Sequence, residues 1–171
     1  MRGQHPKTGK WVHRGAKRAG RRVEDLEVIW AVRTATAATK AGARRLARPT
    51  AVHWGVLRWG GHWLEPAGIR LPKLEIPEAV HKIYPDLSHA QDWEAAIDAT
   101  SFVSDEVVAQ LCDALGLIGA PGDCAGRIAE MAKLGVRNLY LMPTLTFGPP
   151  EQEIAAFRDV VFPRLREAGL K

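Results

Sequence analysis

The chain has 171 residues, 46% of them hydrophobic and 25% charged, with a formal net charge of +5. That length and balance suit one globular domain with its own core and argue against a disordered or fibrous protein. No apolar run approaches the roughly 20 residues of a membrane-spanning helix, and the charged N-terminus lacks the apolar stretch of a secretory signal; the expected address is cytoplasmic.

The charge is unevenly placed. Eight of the 24 Lys/Arg lie in residues 1–22 (Arg2, Lys7, Lys10, Arg14, Lys17, Arg18, Arg21, Arg22) with no acid among them, so the rest of the chain holds 16 bases against 19 acids. Residues 1–13, with Gly3, Pro6 and Gly9 and no periodicity, read as a basic disordered arm, and 14–171 as the folded domain. Such an arm attracts phosphates without reading sequence, but no nucleic-acid-binding module follows it, and nucleic acid is not the expected partner. A short surface helix is expected over Val12–Arg21, ending at Gly20. Residues 25–33, with LEVIWAVR, read as a buried strand that Thr34-Ala35-Thr36 breaks. The Ala-rich stretch 37–47 favours helix, and Pro49 should interrupt or kink it.

Residues 49–103 hold neither period for long. Five of eleven prolines and the cluster Trp54, Trp59 and Trp63 fall there, so the stretch reads as a structured insertion. A short helix is expected around 91–99. Asp86 and Asp92 read as caps. Ser104 is an N-cap with Asp105 and Glu106 in the first turn; Val107, Val108, Leu111, Cys112 and Leu115 give that helix its apolar face, and Gly116 should end it. The two cysteines, Cys112 and Cys124, read as core residues rather than a disulfide or metal pair.

The most ordered signal comes last. Ile118-Gly119-Ala120-Pro121 is a turn that puts Pro121 at the first helical position. Cys124, Ile128, Met131 and Leu134 recur at helical spacing, and Gly135 supplies a C′ residue able to adopt positive φ. Val136–Met142 follows as a strand apolar enough to be covered on both faces, as parallel sheets are. A last helix spans 151–167, with Ile154, Phe157, Val161 and Leu165 as its stripe and Pro163 bending it or starting a new turn.

The run IGAPGDCAGRIAEMAKLGVRNLYLMP followed by EQEIAAFRDVVFPRLREAG resembles the end of luciferase-like flavin- or deazaflavin-dependent oxidoreductases. There an (I/V)GTPEE-type turn opens the penultimate barrel helix, a GV-led strand closes the barrel, and the final helix ends in PRLR. Ile118, Gly119, Pro121, Gly135, Val136, Pro163, Arg164, Leu165 and Arg166 match, whereas Ala120 and Gly122 stand where Thr and Glu are usual. A weaker likeness reaches back to about residue 14. The resemblance implies an α/β fold: the C-terminal portion of a (β/α)8 TIM barrel, incomplete, with a Trp/Pro-rich insertion at about 49–103. A full barrel takes eight strands and about 250 residues, and two strands are recognisable here. The resemblance also implies an oxidoreductase or monooxygenase using reduced flavin mononucleotide or the deazaflavin coenzyme F-420. As an isolated chain it is expected to be weak or inactive, and to form a homo-oligomer or pair with a complementing N-terminal fragment. The alternative is a non-catalytic, basic-armed binding or accessory protein.

Ligands of parallel α/β folds gather at the carboxyl ends of strands. That places Arg33 and Thr34 after the first strand, and Thr144 after the second, at the candidate pocket. The insertion folding over the same face would add His53, Trp54, Arg58, Trp59 and His62, with aromatic faces for a flat ring and an arginine for a phosphate or carboxylate. The histidine spacings fit no zinc pattern, so no metal is expected. No phosphate-binding glycine loop or nucleophile elbow occurs, and flavin chemistry needs neither, because the cofactor carries it. The substrate is a small molecule that these residues do not specify.

Overall fold

The computed structural model describes residues 5–58, 62, 64–65 and 68–170. Three strands form one parallel sheet in the order β2-β1-β3, with β1 at Ile29–Thr36, β2 at Gly116–Gly119 and β3 at Asn138–Pro143. Ile29 to Thr34 pair with Asn138 to Pro143, and Arg33 to Thr36 pair with Gly116 to Gly119. The two strands recognised in the sequence are therefore parallel neighbours. β2 is the strand the sequence hides. Four residues behind a helix carry no period, and its first residue reads as a helix stop. Helix α5 (Asp105–Leu115) passes straight into it. Because β2 takes the other side of β1, the sheet does not read as consecutive barrel staves, which would run β1-β2-β3.

Thr34, Ala35 and Thr36 do not break β1; they are its buried carboxyl half. Alternation along the strand sends Val32 to one core and Ala35 to the other. The first core lies under helix α2 (Lys40–Val52) and α5, with α3 (Glu78–His81) and α4 (Trp93–Ala99) nearby. The second is built on Leu117, Leu139 and Leu141 beneath α6 (Pro121–Lys133) and the C-terminal helices α7 (Glu151–Ala156) and α8 (Phe162–Glu167). Cover on both faces is incomplete. Ile29 is 58% and Tyr140 61% exposed, so the amino half of the α2 face is bare where full cover was expected.

Local chemistry sets most boundaries. Thr39, Asp92 and Ser104 cap α2, α4 and α5 by accepting the N–H of Gly42, Ala95 and Val107. Asp123 closes the start of α6 by accepting the Ala120 N–H at 3.2 Å, and Gly135 follows its end at φ +86°. Pro163 opens α8 after a π-helical turn at Phe157–Val161. Other expectations fail for identifiable reasons. Pro49 does not stop α2; it is buried among Ala47, Ala51 and Val52, and that packing carries the helix through to a π-helical turn at His53–Leu57. Leu134 and Ile154 are 60% and 57% exposed, outside the apolar faces assigned to them: Leu134 is already the C-cap, and Ile154 sits in the first turn of α7. The first thirteen residues are not all irregular, because helix α1 starts at His5 and runs to Arg18. On it Ala16 is buried while Lys10, Arg14, Lys17 and Arg18 are exposed, and the Arg14 guanidinium lies 4.8 Å over the Trp11 ring.

The described residues of the stretch 49–103 contribute to the core. Leu64, Val80, Leu87, Ala90, Ala96 and Val103 are all buried in the α2 core. Cys112 and Cys124 are free and buried, and burial pushes their thiols up to about 12 and about 11. They are inert packing at neutral pH.

Candidate functional site

Four of the eight candidate residues come together on the α2 face of the sheet. Arg33 lies within β1, not in a loop after it, and its odd position turns it toward α2. The π-helical turn beyond α2 delivers His53 and Trp54, and its C-cap is Arg58. The Trp54 ring centre lies 5.3 Å from the Arg33 guanidinium carbon and 5.6 Å from that of Arg58, within cation–π range. His53 meets the same indole edge-on at 5.5 Å.

Asp86, which reads as a cap in the sequence, belongs here as well. Asp86 Oδ1 accepts the backbone N–H of Ser88 at 2.7 Å and of His89 at 3.1 Å, and the carboxylate pairs with His89 Nδ1 at 3.0 Å. The same oxygen is 3.8 Å from His53 Nδ1, too long for a hydrogen bond. The capping pattern of Asp86 is local in sequence; only the fold brings the 86–89 turn against His53.

Thr144 enters through the backbone. Its N–H donates to the Thr34 carbonyl at 3.0 Å, and its carbonyl accepts the Thr50 hydroxyl at 3.4 Å, one turn before His53. The Thr146 hydroxyl reaches the Ser88 carbonyl at 3.4 Å, so the loop after β3 is tied to the Asp86 turn. At this site the buried Ser88 Oγ, Thr144 Oγ1 and His53 Nδ1 have no hydrogen-bond partner among the described residues.

Thr34 and His62 do not join the group, contrary to expectation. Thr34 is wholly buried on the opposite face of β1, because neighbouring residues of a strand point to opposite sides, and its hydroxyl turns back to the Val32 carbonyl. His62 has an 82% exposed side chain and pairs with Glu65 at 3.1 Å. Trp59 lies outside the described residues. The carboxyl end of β1 is also partly closed. Glu153, in the first turn of α7, accepts the Thr36 N–H at 3.3 Å, and Gln152 donates to the Thr36 carbonyl. The accessible chemistry is thereby displaced from the strand tips onto the α2 face.

The electrostatics are those of a half-buried cationic cluster. Burial lowers the Arg33 pKa. Burial also lowers that of His53, outweighing the attraction of Asp86, with Arg58, His89 and Arg33 acting in the same direction as burial. For Asp86 burial works to raise the pKa, but the hydrogen bonds from His89 and the Ser88 amide prevail and hold it below the usual carboxylate range. His53 is thus a neutral base at pH 7 beside an ionised carboxylate. A histidine whose folded pKa is depressed binds fewer protons folded than unfolded, so stability falls as pH drops below the ordinary histidine range near 6.5. The Asp86 contribution persists through that window and is lost only around pH 4 and below. His53→Gln is expected to flatten the melting temperature between about pH 7 and 5.5, a contrast that parallel thermal melts of both chains will display.

A family model described as luciferase-like monooxygenase matches residues 7–138. The chain belongs to this family. The matched span contains β1, β2 and the Arg33, His53, Trp54, Arg58 and Asp86 positions, and it takes in the basic α1. It stops at the first residue of β3, so the PRLR motif at Pro163 to Arg166, which carried part of the resemblance, lies beyond it. No curated protein and no solved structure matches the chain. Family membership carries an oxidoreductase character, and the mixed α/β fold with a small parallel sheet is compatible with part of a luciferase-like enzyme. Among the described residues no helix is long and apolar enough to cross a membrane.

Proposed function

We propose that this chain is a portion of a luciferase-like, flavin- or deazaflavin-dependent oxidoreductase, and that Arg33, His53, Trp54, Arg58 and Asp86 line the pocket where FMN or coenzyme F-420 meets a small substrate. The observation that carries the reading is the convergence of these side chains on one sheet face inside the span matched to the family. The residues suit such a group: an indole accepts a flat heterocycle, and arginines suit a phosphate tail. The cofactor, when bound, supplies the hydride or oxygen chemistry. What this chain supplies is position and proton handling. His53, neutral at pH 7 and with Nδ1 turned toward Asp86, can take a proton from a substrate hydroxyl through Nε2 and return it.

The same reading makes the isolated chain weak or inactive. A (β/α)8 barrel sets each stave beside the next in sequence, whereas here β3 lies beside β1, and the outer edges of β2 and β3 carry no strand among the described residues. Two open parallel edges suit further staves from a complementing segment or a second copy. The cytoplasm is the compartment proposed. Titration of the purified chain with FMN and with F-420, followed by cofactor fluorescence, tests this. Weak saturable binding, with Kd above about 10 μM and lost in Trp54→Leu, is expected. Absence of binding at millimolar cofactor overturns the flavin reading, and turnover at rates typical of enzymes, about 1–1000 per second, overturns the inactive-chain reading.

A further inference from the structure

We propose that Arg33 and Arg58, on either flank of contact with Trp54, form a subsite for an oxyanion, a carboxylate or phosphate carried by the substrate or the cofactor. The subsite shares the pocket proposed above but does not depend on a flavin.

On α2, Arg44 pairs with Asp113 at 3.0 Å, Arg45 with Glu94, and Arg48 with Asp105 at 2.6 Å. Arg33 and Arg58 have no carboxylate partner and no hydrogen-bond acceptor among the described residues; their recorded contacts are with the Trp54 ring. For Arg58 exposure to water explains this. For Arg33 it does not, since its guanidinium is half-buried and burial already acts against its charge. A cation withdrawn from water without a counter-charge is costly.

The Asp86 carboxylate is committed elsewhere. Asp86 is occupied by His89 and by the amides of Ser88 and His89, and it is His53, not an arginine, that lies 3.8 Å from it. The cluster therefore holds two guanidinium charges and one engaged carboxylate, and acid conditions add the His53 imidazole. Five N–H donors on each guanidinium, arranged in a planar fork, suit the two or three oxygens of a carboxylate or phosphate. The Arg33 and Arg58 guanidinium carbons lie 5.3 and 5.6 Å from the centre of the one Trp54 ring. An oxyanion seated between them satisfies the unmet donors and the uncompensated charge together.

The test uses the full chain without cofactor. Sodium phosphate and sodium benzoate are titrated at constant ionic strength set with chloride, with benzamide as the uncharged counterpart of benzoate, and the melting temperature is followed. A saturable rise with phosphate or benzoate at millimolar concentration, absent with benzamide, is expected. Arg33→Met and Arg58→Met should each weaken it at least tenfold, while Arg45→Met, which removes an arginine already paired with Glu94, leaves it unchanged. Arg58 is exposed, so its variant reads the subsite even if the Arg33 variant folds poorly. Preference for phosphate assigns the subsite to a cofactor tail, and preference for benzoate assigns it to a substrate carboxylate. Equal shifts with chloride alone, or full affinity retained in Arg58→Met, overturn the proposal. Benzoate binding that persists where FMN and F-420 fail to bind would remove the flavin reading and leave the subsite standing.

Discussion

Gly116→Ala is expected to unfold the β1–β2 pairing and lower the melting temperature by roughly 6–12 °C. Gly116 pairs with Arg33 in the sheet, and a Cβ placed there would sit 2.8 Å from the Arg33 amide nitrogen and closer still to its carbonyl oxygen. Both are backbone atoms of the central strand, so no rotamer change relieves the overlap. Its φ of 172° is ordinary extended backbone, so the cost is steric alone. Overpacking of this kind costs about 3 kcal/mol, and a chain of this size loses about 2–4 °C per kcal/mol. Gly122→Ala is the matching control. There the new methyl would meet the guanidinium of Arg164, the free end of a flexible side chain, in the first turn of α6. Its melting temperature should stay within a few degrees of the parent, and equal losses in the two variants would show that the close approach at Gly116 is not what matters. Because Arg33 hangs from the displaced strand, Gly116→Ala should also weaken oxyanion binding, whereas Gly122→Ala should not.

That glycine shows where sequence reading stops. In the chain it follows an apolar helical face, and a glycine after a helix reads as a C-cap. The reading at Gly135 is correct, with φ at +86°; at Gly116 the same signal marks a strand pressed against its neighbour. Nothing local separates the two cases, since the deciding atom is 83 residues away in β1. The helices whose caps and periods are local were legible: Ser104, Pro121, Gly135 and Pro163 all act as their neighbours suggest. The α-β-α order around residues 105–143 was also legible, because a long amphipathic face next to an apolar run has few alternatives. The site was legible as a set of residue types and not as a geometry. Arg33, His53, Trp54 and Arg58 could be named as cationic and aromatic candidates. Alternation along a strand then separated Thr34 from Arg33, and α7 closed the strand tip where the ligand was expected. Asp86 was hidden because its turn-forming hydrogen bonds to Ser88 and His89 explain it fully without a site.

Arg48 is the clearest residue whose sequence context misleads, and Arg48→Met should cost about 3 kcal/mol. In the Ala-rich basic run of α2 it looks like one more solvated charge. Its side chain is instead 11% exposed, with Nε and Nη2 donating to the Thr100 carbonyl at 3.3 and 3.1 Å, Nη2 also to the Val103 carbonyl, and Nη1 to Asp105 at 2.6 Å. This fork ties the irregular turn between α4 and α5 to the middle of α2. Methionine keeps much of the stem's packing volume and removes the donors, so the loss is that of hydrogen bonds from a charged group to interior carbonyls, about 1.5–3 kcal/mol for each effective bond. The ion pair contributes little of it, because Asp105 is 97% exposed and pairs of that kind are worth under about 1 kcal/mol. Urea unfolding separates the two contributions: Arg48→Met should lower the stability by about 3 kcal/mol and Asp105→Asn by less than about 1. If the two variants lose the same amount, the carbonyl contacts are not what holds the turn. Since α2 runs on into the π-helical turn bearing His53 and Trp54, loosening its anchor at Arg48 should also broaden the oxyanion titration. The buried arginine thereby links the stability of the α2 core to the placement of the candidate site.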